Sequence, residues 1–287
     1  MAIQSTTRSV IVIIGGGGMG LATARRLGSG RQVFLADFSD TVLSAAQETL
    51  MAEGHTVETS RVDISDFGSV SALARAAAAA GPIKAIVHTA GLSPAMAPAR
   101  RIYEVDLLGT ANVIDAFLPH VQRGTSLVCV ASMAAYMEAL SPELERHLAT
   151  APIDQLLHHP SIDLDNSSMQ GRVIAYVIAK RGNIVRVQAA ARAWGLKGSR
   201  LNSVSPGVIS TSMGRQELEG DHGALIKERA EMSPVGRLGT PEDIANIVAF
   251  LTGAESSFIT GNDYLIDGGV ISTMRWNDEE SFLPSSA

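Results

Sequence analysis

Residues 13–26 read "IIGGGGMGLATARR", and this stretch decides the fold. An apolar run ends in glycines and continues at once into a segment rich in helix formers, a pattern typical of a buried strand that turns directly into a helix. Glycines at the spacing G-x-G-x-x-G let backbone amides and the positive helix end hold a pyrophosphate. The simpler alternative is a flexible turn. The predicted dinucleotide contacts are Gly15, Gly17, Gly18, Met19 and Gly20.

Short apolar runs alternate with longer alanine-rich stretches along the rest of the chain. This rhythm indicates strand–helix–strand units on a parallel sheet. We predict an α/β protein with a doubly wound Rossmann fold, whose seven-stranded parallel sheet carries helices on both faces, in a single domain over residues 1–287. The strand candidates are 9–14, 32–37, 56–63, 85–91, 126–132, 200–207 and 263–269.

Composition limits the possible partners. A formal charge of -6 without a basic stripe argues against nucleic acid and against an anionic membrane, so a small, neutral molecule is the expected partner. The single cysteine, Cys129, lies in an apolar run and cannot form an internal disulfide, which favours a cytoplasmic location. The apolar run at the N-terminus is too short for a signal peptide, and no other run approaches membrane-spanning length.

The second predicted strand ends on Asp37, 17 residues beyond Gly20. This is close to where the fold places an acid on the adenosine ribose. A carboxylate accepts a hydrogen bond from the 2′-hydroxyl and repels a 2′-phosphate, and the next residues, Phe38 and Ser39, supply no cation. The sequence therefore predicts NAD rather than NADP as cofactor, with Phe38 beside it.

Residues 175–182 read "AYVIAKRG" and place Tyr176 and Lys180 four apart, on one face of a helix. The pair is either chemical or part of a solvated helix surface. Its context favours chemistry, because the ordered motifs around it resemble those of the short-chain dehydrogenase/reductase family, over nearly the whole chain to about residue 275. The matching pieces are the glycine turn, Asp37, "VDISD", "HTAG", "DLLGT", "VASMA", "YVIAK", "SPGVIST" and "LIDGG". Within the family, the sequence is similar to the 3α-hydroxysteroid dehydrogenase/carbonyl reductase type.

The resemblance implies an oxidoreductase that interconverts a secondary alcohol and a ketone. Free tyrosine has a pKa near 10 and is a poor base at neutral pH, so the implied base, Tyr176, needs a nearby cation. Lys180 supplies that charge and, by its family role, also holds the nicotinamide ribose. Ser132 matches the serine that hydrogen-bonds the substrate oxygen.

The remaining cofactor contacts follow from the resemblance position by position. Each of them could instead be ordinary loop structure. Residues matching those beside the adenine, in the turn after the fourth strand and near the carboxamide are Asp63, Ile64, Ala90, Gly91, Pro206, Gly207, Ile209 and Thr211.

Several positions depart from the family pattern: the glycine turn is spaced differently from the usual T-G-x-x-x-G-x-G, and His88 and Thr89 replace asparagines. Asp106 stands where the family often has an asparagine that holds a proton-relay water near the lysine. An aspartate can still accept from that water, although its charge would alter how Lys180 tunes Tyr176; a catalytic and a purely structural role both remain open. His88 replaces an asparagine, and a histidine in a strand is more often a core residue than a catalyst.

The largest anomaly is the separation of 44 positions between Ser132 and Tyr176, far more than is usual in the family. We predict an inserted, lid-like segment at about 137–171, with a helix capped by Ser141 and a second short helix. We expect it to be mobile without substrate and ordered with it. His158 and His159 within it are adjacent and do not suggest a metal site. A C-terminal tail is predicted from about residue 271.

The insertion also affects assembly. Family members commonly associate through the helix after the fourth strand and the Tyr176 helix. An insertion beside that surface would redirect pairing to the final strand and to helix 241–253. We therefore predict a homo-oligomer, dimer or tetramer, with the dimer favoured.

The substrate is expected to be a hydrophobic alcohol or ketone such as a hydroxysteroid. A 3-oxoacyl thioester, a sugar alcohol and a non-catalytic NAD sensor remain the alternatives.

Overall fold

The computed structural model describes residues 8–166, 168–211, 214, 227–228 and 231–276. Their centre is a seven-stranded, fully parallel sheet in the order β3-β2-β1-β4-β5-β6-β7. The strand order reverses between β1 and β4, so a crevice opens there at the carboxyl ends of the strands. The strands are β1 (Val10–Ile14), β2 (Gln32–Asp37), β3 (Thr56–Arg61), β4 (Ile83–His88), β5 (Ser126–Val130), β6 (Arg200–Pro206) and β7 (Asp263–Ile266).

Helices cover both faces of this sheet, which confirms the predicted fold class. One face packs on α1, α2 and α8, and the other on α3, α5 and α7. Because β1 and β5 are buried along their whole length, their sequences are continuous apolar runs rather than alternating patterns. The helices are α1 (Gly18–Gly28), α2 (Asp40–Ala52), α3 (Phe67–Ala80), α4 (Ala99–Ile102), α5 (Gly109–Phe117), α6 (Pro142–Thr150), α7 (Met169–Gly195), α8 (Pro241–Thr252) and α9 (Val270–Trp276).

The segment between α4 and α5, Tyr103–Leu108, is a π-helical turn. The family resemblance implied one helix after the fourth strand, whereas the structure has α4, this turn and α5 in succession. A π turn depends on hydrogen bonds between residues five apart, which no propensity or periodicity signals. Such turns occur often at functional sites, and this one contains Asp106.

The insertion begins as predicted, because Ser141 caps α6 by accepting a hydrogen bond from the N–H of Leu144. The predicted second helix is only a 3₁₀ turn, Ile153–Gln155. Leu144 and Leu148 of α6 pack against α7 in an apolar cluster that also contains Leu156. The insertion therefore lies along the side of α7.

The chain after β7 forms α9, where the tail was predicted to begin. Val270 and Ile271 pack against Met133, which follows β5. The part of the predicted tail after residue 276 lies outside the described residues. Across the described ranges, every helix is too short or too polar to cross a membrane.

Candidate active site

The glycine turn has the shape that a bound diphosphate requires. Gly15 has a positive φ of 105°, and a Cβ on Gly20 would overlap the carbonyl oxygen of Gly15. Helix α1 starts at Gly18 with Gly17 as its N-cap, without a side-chain cap and without an acid in its first turn. A Cβ on Gly17 would meet no atom within 4 Å. The positive end of α1 is thus accessible to an anionic group.

Asp37 is fixed at the carboxyl end of β2, directly beside this turn. One carboxylate oxygen accepts the N–H of Gly16 at 2.7 Å, and the other accepts the N–H of Ser39 at 2.9 Å. Each oxygen keeps a further lone pair, so the carboxylate can still accept from a ribose hydroxyl. The structure therefore brings Asp37 and the glycine turn together.

Arg61 is a cation that the sequence reasoning missed. It pairs in register with Asp37 on the neighbouring strand, and its guanidinium lies 4.9 Å from the ring centroid of Phe38, which is 56% exposed. Arg61 Nε also donates to the carbonyl oxygen of Phe38 at 3.2 Å. The prediction that no cation lies near Asp37 was thus based only on the next residues along the chain. Strand register, which sequence spacing does not show, places one across the sheet.

Asp63 and Ile64, predicted to flank the adenine, are partly committed to the protein itself. The Asp63 carboxylate accepts the N–H and the hydroxyl of Ser65, at 3.0 and 2.6 Å. The Ile64 side chain is buried against Gly109, so a Cβ there would come within 2.8 Å of it. Both residues lie after β3, but only Asp63 is partly exposed.

The turn after β4 is tied to the glycine turn. The Thr89 hydroxyl lies within donating distance of the carbonyl oxygens of Gly15 and Ile14, at 3.1 and 3.2 Å. The N–H of Ala90 donates to the carbonyl oxygen of Ile14 at 3.0 Å. Thr89 stands where the family has an asparagine, and its role in joining β1 to β4 was not foreseen.

Residues after β6 close the crevice from the other side. The N–H of Gly207 donates to the carbonyl oxygen of Ile266 at 2.9 Å, and Ile209 pairs with Gly239. Thr211 reaches the start of α1, because a Cβ on Gly18 would lie 3.0 Å from its methyl carbon. The predicted carboxamide segment from Pro206 to Thr211 is thus adjacent to the glycine turn.

Ser132 follows β5 and is the N-cap of a 3₁₀ turn, Met133–Tyr136. Its Oγ accepts the N–H of Ala134 at 3.2 Å. This bond uses a lone pair and leaves the hydroxyl hydrogen for another acceptor. The Ser132 hydroxyl is therefore held in place after β5 and can donate a hydrogen bond.

Tyr176 and Lys180 lie on one face of α7, as predicted. Lys180 Nζ is 5.3 Å from the Tyr176 ring centroid, and Lys180 is almost fully buried whereas Tyr176 is partly exposed. A buried ammonium close to a phenol favours the phenolate. The pair is therefore not a solvated helix surface.

Asp106 forms a buried ion pair with this lysine. Asp106 Oδ2 lies 3.1 Å from Lys180 Nζ, and Oδ1 accepts the N–H of Leu92 at 2.7 Å. Gly91 leaves room for both side chains, since a Cβ there would meet Nζ at 3.1 Å. Burial raises the pKa of Asp106, while the ammonium and the Leu92 N–H act against that shift. The aspartate thus contacts the lysine directly.

His88 is buried at the end of β4, and its Nε2 lies 3.1 Å from Thr110 Oγ1. Thr110 gives its own hydroxyl hydrogen to the carbonyl oxygen of Asp106 at 2.8 Å. Nε2 of His88 must therefore be the protonated nitrogen, and Nδ1 is an acceptor. Burial first, and then the charge of Lys180, lowers the pKa of His88 to about 3. The imidazole is neutral in the folded protein.

Comparison with known proteins matches the chain to dehydrogenases and reductases. Residues 9–141 match the family model described as short chain dehydrogenase, and residues 161–271 match the model described as enoyl-(acyl carrier protein) reductase. The short-chain dehydrogenase/reductase bsc3 of Alternaria brassicicola is 37% identical over 92% of this chain and 96% of its own length.

Two further matches cover nearly all of the chain. The 3-alpha-hydroxysteroid dehydrogenase/carbonyl reductase of Comamonas testosteroni is 29% identical over 93% of this chain and 98% of its own. The solved structure of a short-chain type dehydrogenase/reductase from Mycobacterium ulcerans has a TM-score of 0.73 at 24% identity, and covers 92% of this chain and 90% of that one. The latter supports the fold alone.

Proposed function

This chain belongs to the short-chain dehydrogenase/reductase family, and from that premise we propose that it interconverts a secondary alcohol and a ketone with NAD. The observation that carries the proposal is the buried Lys180 ammonium, 5.3 Å from the ring centroid of Tyr176. This arrangement favours proton transfer at a phenol near neutral pH. A protein that only senses NAD would have no use for it.

The roles of the side chains follow from their geometry. In oxidation Tyr176 accepts the hydroxyl proton of the substrate, and in reduction it donates that proton back. Ser132 donates its hydroxyl hydrogen to the substrate oxygen and holds it in place. Lys180 stabilises the phenolate, and Asp106 fixes Lys180. The nicotinamide, when bound, supplies or accepts the hydride.

The residues present fit a dinucleotide. Gly15, Gly17, Gly18, Met19 and Gly20 would hold the diphosphate at the start of α1, and Asp37 would hold the adenosine ribose. Phe38, Asp63, Ile64, Ala90 and Gly91 would line the adenosine and ribose side. Pro206, Gly207, Ile209 and Thr211 would line the nicotinamide side. Asp37 favours NAD by repelling a 2′-phosphate, whereas Arg61 opposes that preference.

A hydrophobic alcohol such as a hydroxysteroid is the proposed substrate class. It is supported by the similarity to the Comamonas testosteroni enzyme. Exposed apolar side chains on the segments that carry the site also support it, such as Met96 after β4 and Val173 one turn before Tyr176 on α7. A 3-oxoacyl thioester and a sugar alcohol are the alternatives within the family, and the match to the enoyl-(acyl carrier protein) reductase model is compatible with an acyl thioester. We place the enzyme in the cytoplasm as a homo-oligomer.

The test follows NADH formation across a panel of steroid, aliphatic, 3-hydroxyacyl and sugar alcohols. Tyr176→Phe is the matched control, since it keeps the ring and the helix and removes only the proton carrier. We expect steroid alcohols to be oxidised and Tyr176→Phe to lose about a thousandfold or more in turnover while binding NAD normally. NAD binding without turnover of any alcohol would instead support the sensor. Parent-level turnover by Tyr176→Phe would contradict the mechanism.

A further inference from the structure

A buried polar side chain without an assigned role lies directly behind the catalytic pair. Tyr176, Lys180, Asn183 and Val187 follow one another along α7 at spacings of four, three and four, so they form one stripe on the helix. Val187 packs in the core cluster that contains Cys129 of β5, which shows that the stripe faces the sheet. Asn183 is therefore placed in the layer between α7 and the sheet, next to Lys180.

Asn183 is only 1% exposed, yet within the described ranges neither its amide oxygen nor its amide nitrogen has a hydrogen-bonding partner. Burying an amide without compensation is costly, and such groups in native proteins are normally paired with protein or ordered water. An apolar residue at this position would have avoided the cost. The asparagine thus requires a partner that is not another side chain in its present position.

The second such group is in the same layer. Nδ1 of His88 is buried and, among the described residues, also has no hydrogen-bonding partner. The hydrogen bond to Thr110 defines this nitrogen as an acceptor and aligns the ring beside α5. His88 is close enough to Lys180 for its charge to act on the ring. Among the described residues, Asn183 of α7 and His88 of β4 thus both present unpaired, buried polar groups in the layer that contains Lys180.

We propose that Asn183 and His88 hold ordered water against the inner side of Lys180, and that Asn183 is thereby a positioning residue for the catalytic lysine. One water can give its hydrogens to His88 Nδ1 and Asn183 Oδ1 while its oxygen accepts from the ammonium. This places an amide and a water beside the lysine although the central helix carries Asp106 instead of the family's asparagine. The inference rests on the proposed oxidoreductase function.

Four groups bear on Lys180 from the elements around it. Asp106 of the π turn forms the ion pair, Tyr176 lies on the same helix, and His88 of β4 and Cys129 of β5 face it from the sheet. Burial keeps His88 and Cys129 uncharged by lowering the pKa of the former and raising the pKa of the latter. Asp106 is thus the anion beside the lysine in this set, and its negative charge also opposes the phenolate, whereas a water supports the ammonium without adding charge.

The experiment removes the amide without changing the shape of the core. Asn183→Leu is nearly isosteric and expels the water, so the ammonium is less well supported and the Tyr176 phenolate becomes less favourable. We expect the acidic limb of alcohol oxidation to move to higher pH by about half a unit or more, with kcat reduced about tenfold and KM for NAD unchanged. Asn183→Ser keeps a polar group, leaves room for water, and should stay close to the parent profile.

Ile184→Val is the matched control, because Ile184 is the next residue on α7 and packs on Ala131 and Ala135 instead. If Asn183→Leu does not fold, Asn183→Val is measured in its place. A second readout does not need turnover. Phenolate absorbance is followed against pH, and subtracting the curve of the Tyr176→Phe variant leaves the titration of Tyr176. This difference is measured in the parent protein and again in proteins that carry Asn183→Leu.

The inference is overturned if Asn183→Leu leaves both the pH profile and the phenolate titration at their parent values, or if Ile184→Val shifts them equally. A parent protein that oxidises no alcohol would refute the proposed function alone, since the phenolate titration still decides the role of Asn183. A crystal structure with ordered water between His88, Asn183 and Lys180 would support the proposal. Direct pairing of Asn183 with His88 and no water would contradict it.

Discussion

In the proposed cofactor site, Asp37 and Arg61 would act in opposite directions on an adenosine ribose at the end of β2. The carboxylate repels a 2′-phosphate, and the guanidinium, in register with it on β3, attracts one. Cofactor preference therefore depends on two charges on adjacent strands, of which the sequence revealed only the first. Arg61 also contacts Phe38 and lies 3.8 Å from an oxygen of Asp40, so its attraction for a 2′-phosphate would be moderated by these neighbours.

We predict that Asp37→Ala weakens NAD binding about tenfold and strengthens NADP binding, because an ionic hydrogen bond and a repulsion are both lost. Adding Arg61→Ala should abolish the gain for NADP. Asp37→Asn, which keeps an acceptor for the turn, separates charge from loop structure. Lys84→Ala, at the opposite end of the sheet, is the control for net charge. Titration of protein fluorescence with each cofactor measures the four variants, and a parent that already prefers NADP would show that Asp37 was misinterpreted.

His88 links the stability of the site to pH. Its pKa in the folded protein is about 3, against 6.5 for an ordinary histidine. As pH falls below 6.5, the unfolded chain binds a proton that the folded protein refuses, so acid favours unfolding until about pH 3. At pH 5.5 the expected loss is about 1 kcal/mol relative to neutral pH.

The prediction is that His88→Gln, which can still donate to Thr110, shows a smaller loss of stability between pH 7.5 and pH 5.5. Urea unfolding at both pH values measures the free energy of unfolding for parent and variant. His120→Gln is a control, because that histidine is on a partly exposed 3₁₀ turn far along the chain. Equal pH dependence in parent and His88→Gln would mean that His88 protonates without unfolding.

At the scale of elements, the π turn explains how an aspartate came to contact the lysine. The extra residue in the turn Tyr103–Leu108 directs Asp106 inward, where Leu92 and Lys180 share its two oxygens. The sequence identified Asp106 as a departure from the family but left its role open. Its direct ion pair depends on a local backbone geometry that periodicity does not encode.

Asp106→Asn is expected to shift the acidic limb of alcohol oxidation to lower pH, opposite to Asn183→Leu. The amide keeps an acceptor for the Leu92 N–H but removes the negative charge that offsets the effect of Lys180 on Tyr176. Asp106→Leu should instead destabilise the fold by about 3 kcal/mol, because the buried ammonium and the Leu92 N–H both lose their partner. The pH profile of kcat/KM and urea unfolding distinguish the two effects. A lower activity of Asp106→Asn at every pH, without a shift, would argue that the carboxylate only holds the turn.

Strand and helix positions were largely readable from sequence, and particular cases show why. The run "QVFLAD" predicted β2 with its observed bounds, because its apolar residues are followed by polar residues that begin a turn. The capping Ser141 with Pro142 located the start of α6. What the sequence did not contain was contact across elements, such as Arg61 beside Asp37 and Thr89 on the glycine turn. These follow from register and packing rather than from local spacing.

At the scale of the whole molecule, the insertion packs on α7, the helix through which the family resemblance implies association. Arg181 pairs with Glu145 at 2.6 Å, and Arg186 donates to the carbonyl oxygen of Ala151 at 2.7 Å. These contacts join α6 and the residue after it to α7. An isologous four-helix interface there would have to displace α6.

The opposite edge of the molecule is open to association. Among the described strands β7 pairs only with β6, and exposed aromatic side chains include Phe250 of α8, 41% exposed, and the fully exposed Phe258 in the segment before β7. An unpaired strand edge and exposed aromatic residues are features that native proteins normally cover. A second copy of the chain, related by a two-fold axis through this edge, would cover both.

We therefore predict a homodimer formed through α8 and β7. Phe258→Glu with Phe250→Glu should yield monomers, because charges would be buried at a two-fold interface, while Leu196→Glu, an exposed apolar residue after α7, should leave the dimer intact. Light scattering at several concentrations measures the mass of each protein. A tetramer, or a dimer that survives the double substitution, would show that association uses another surface.

Hydrogen exchange tests the insertion. Helix α6 should be protected with or without ligand, since it is anchored on α7. Residues 153–164 should gain protection only with NADH and a substrate analogue. The same exchange rate with and without ligand would contradict the prediction that the insertion acts as a lid.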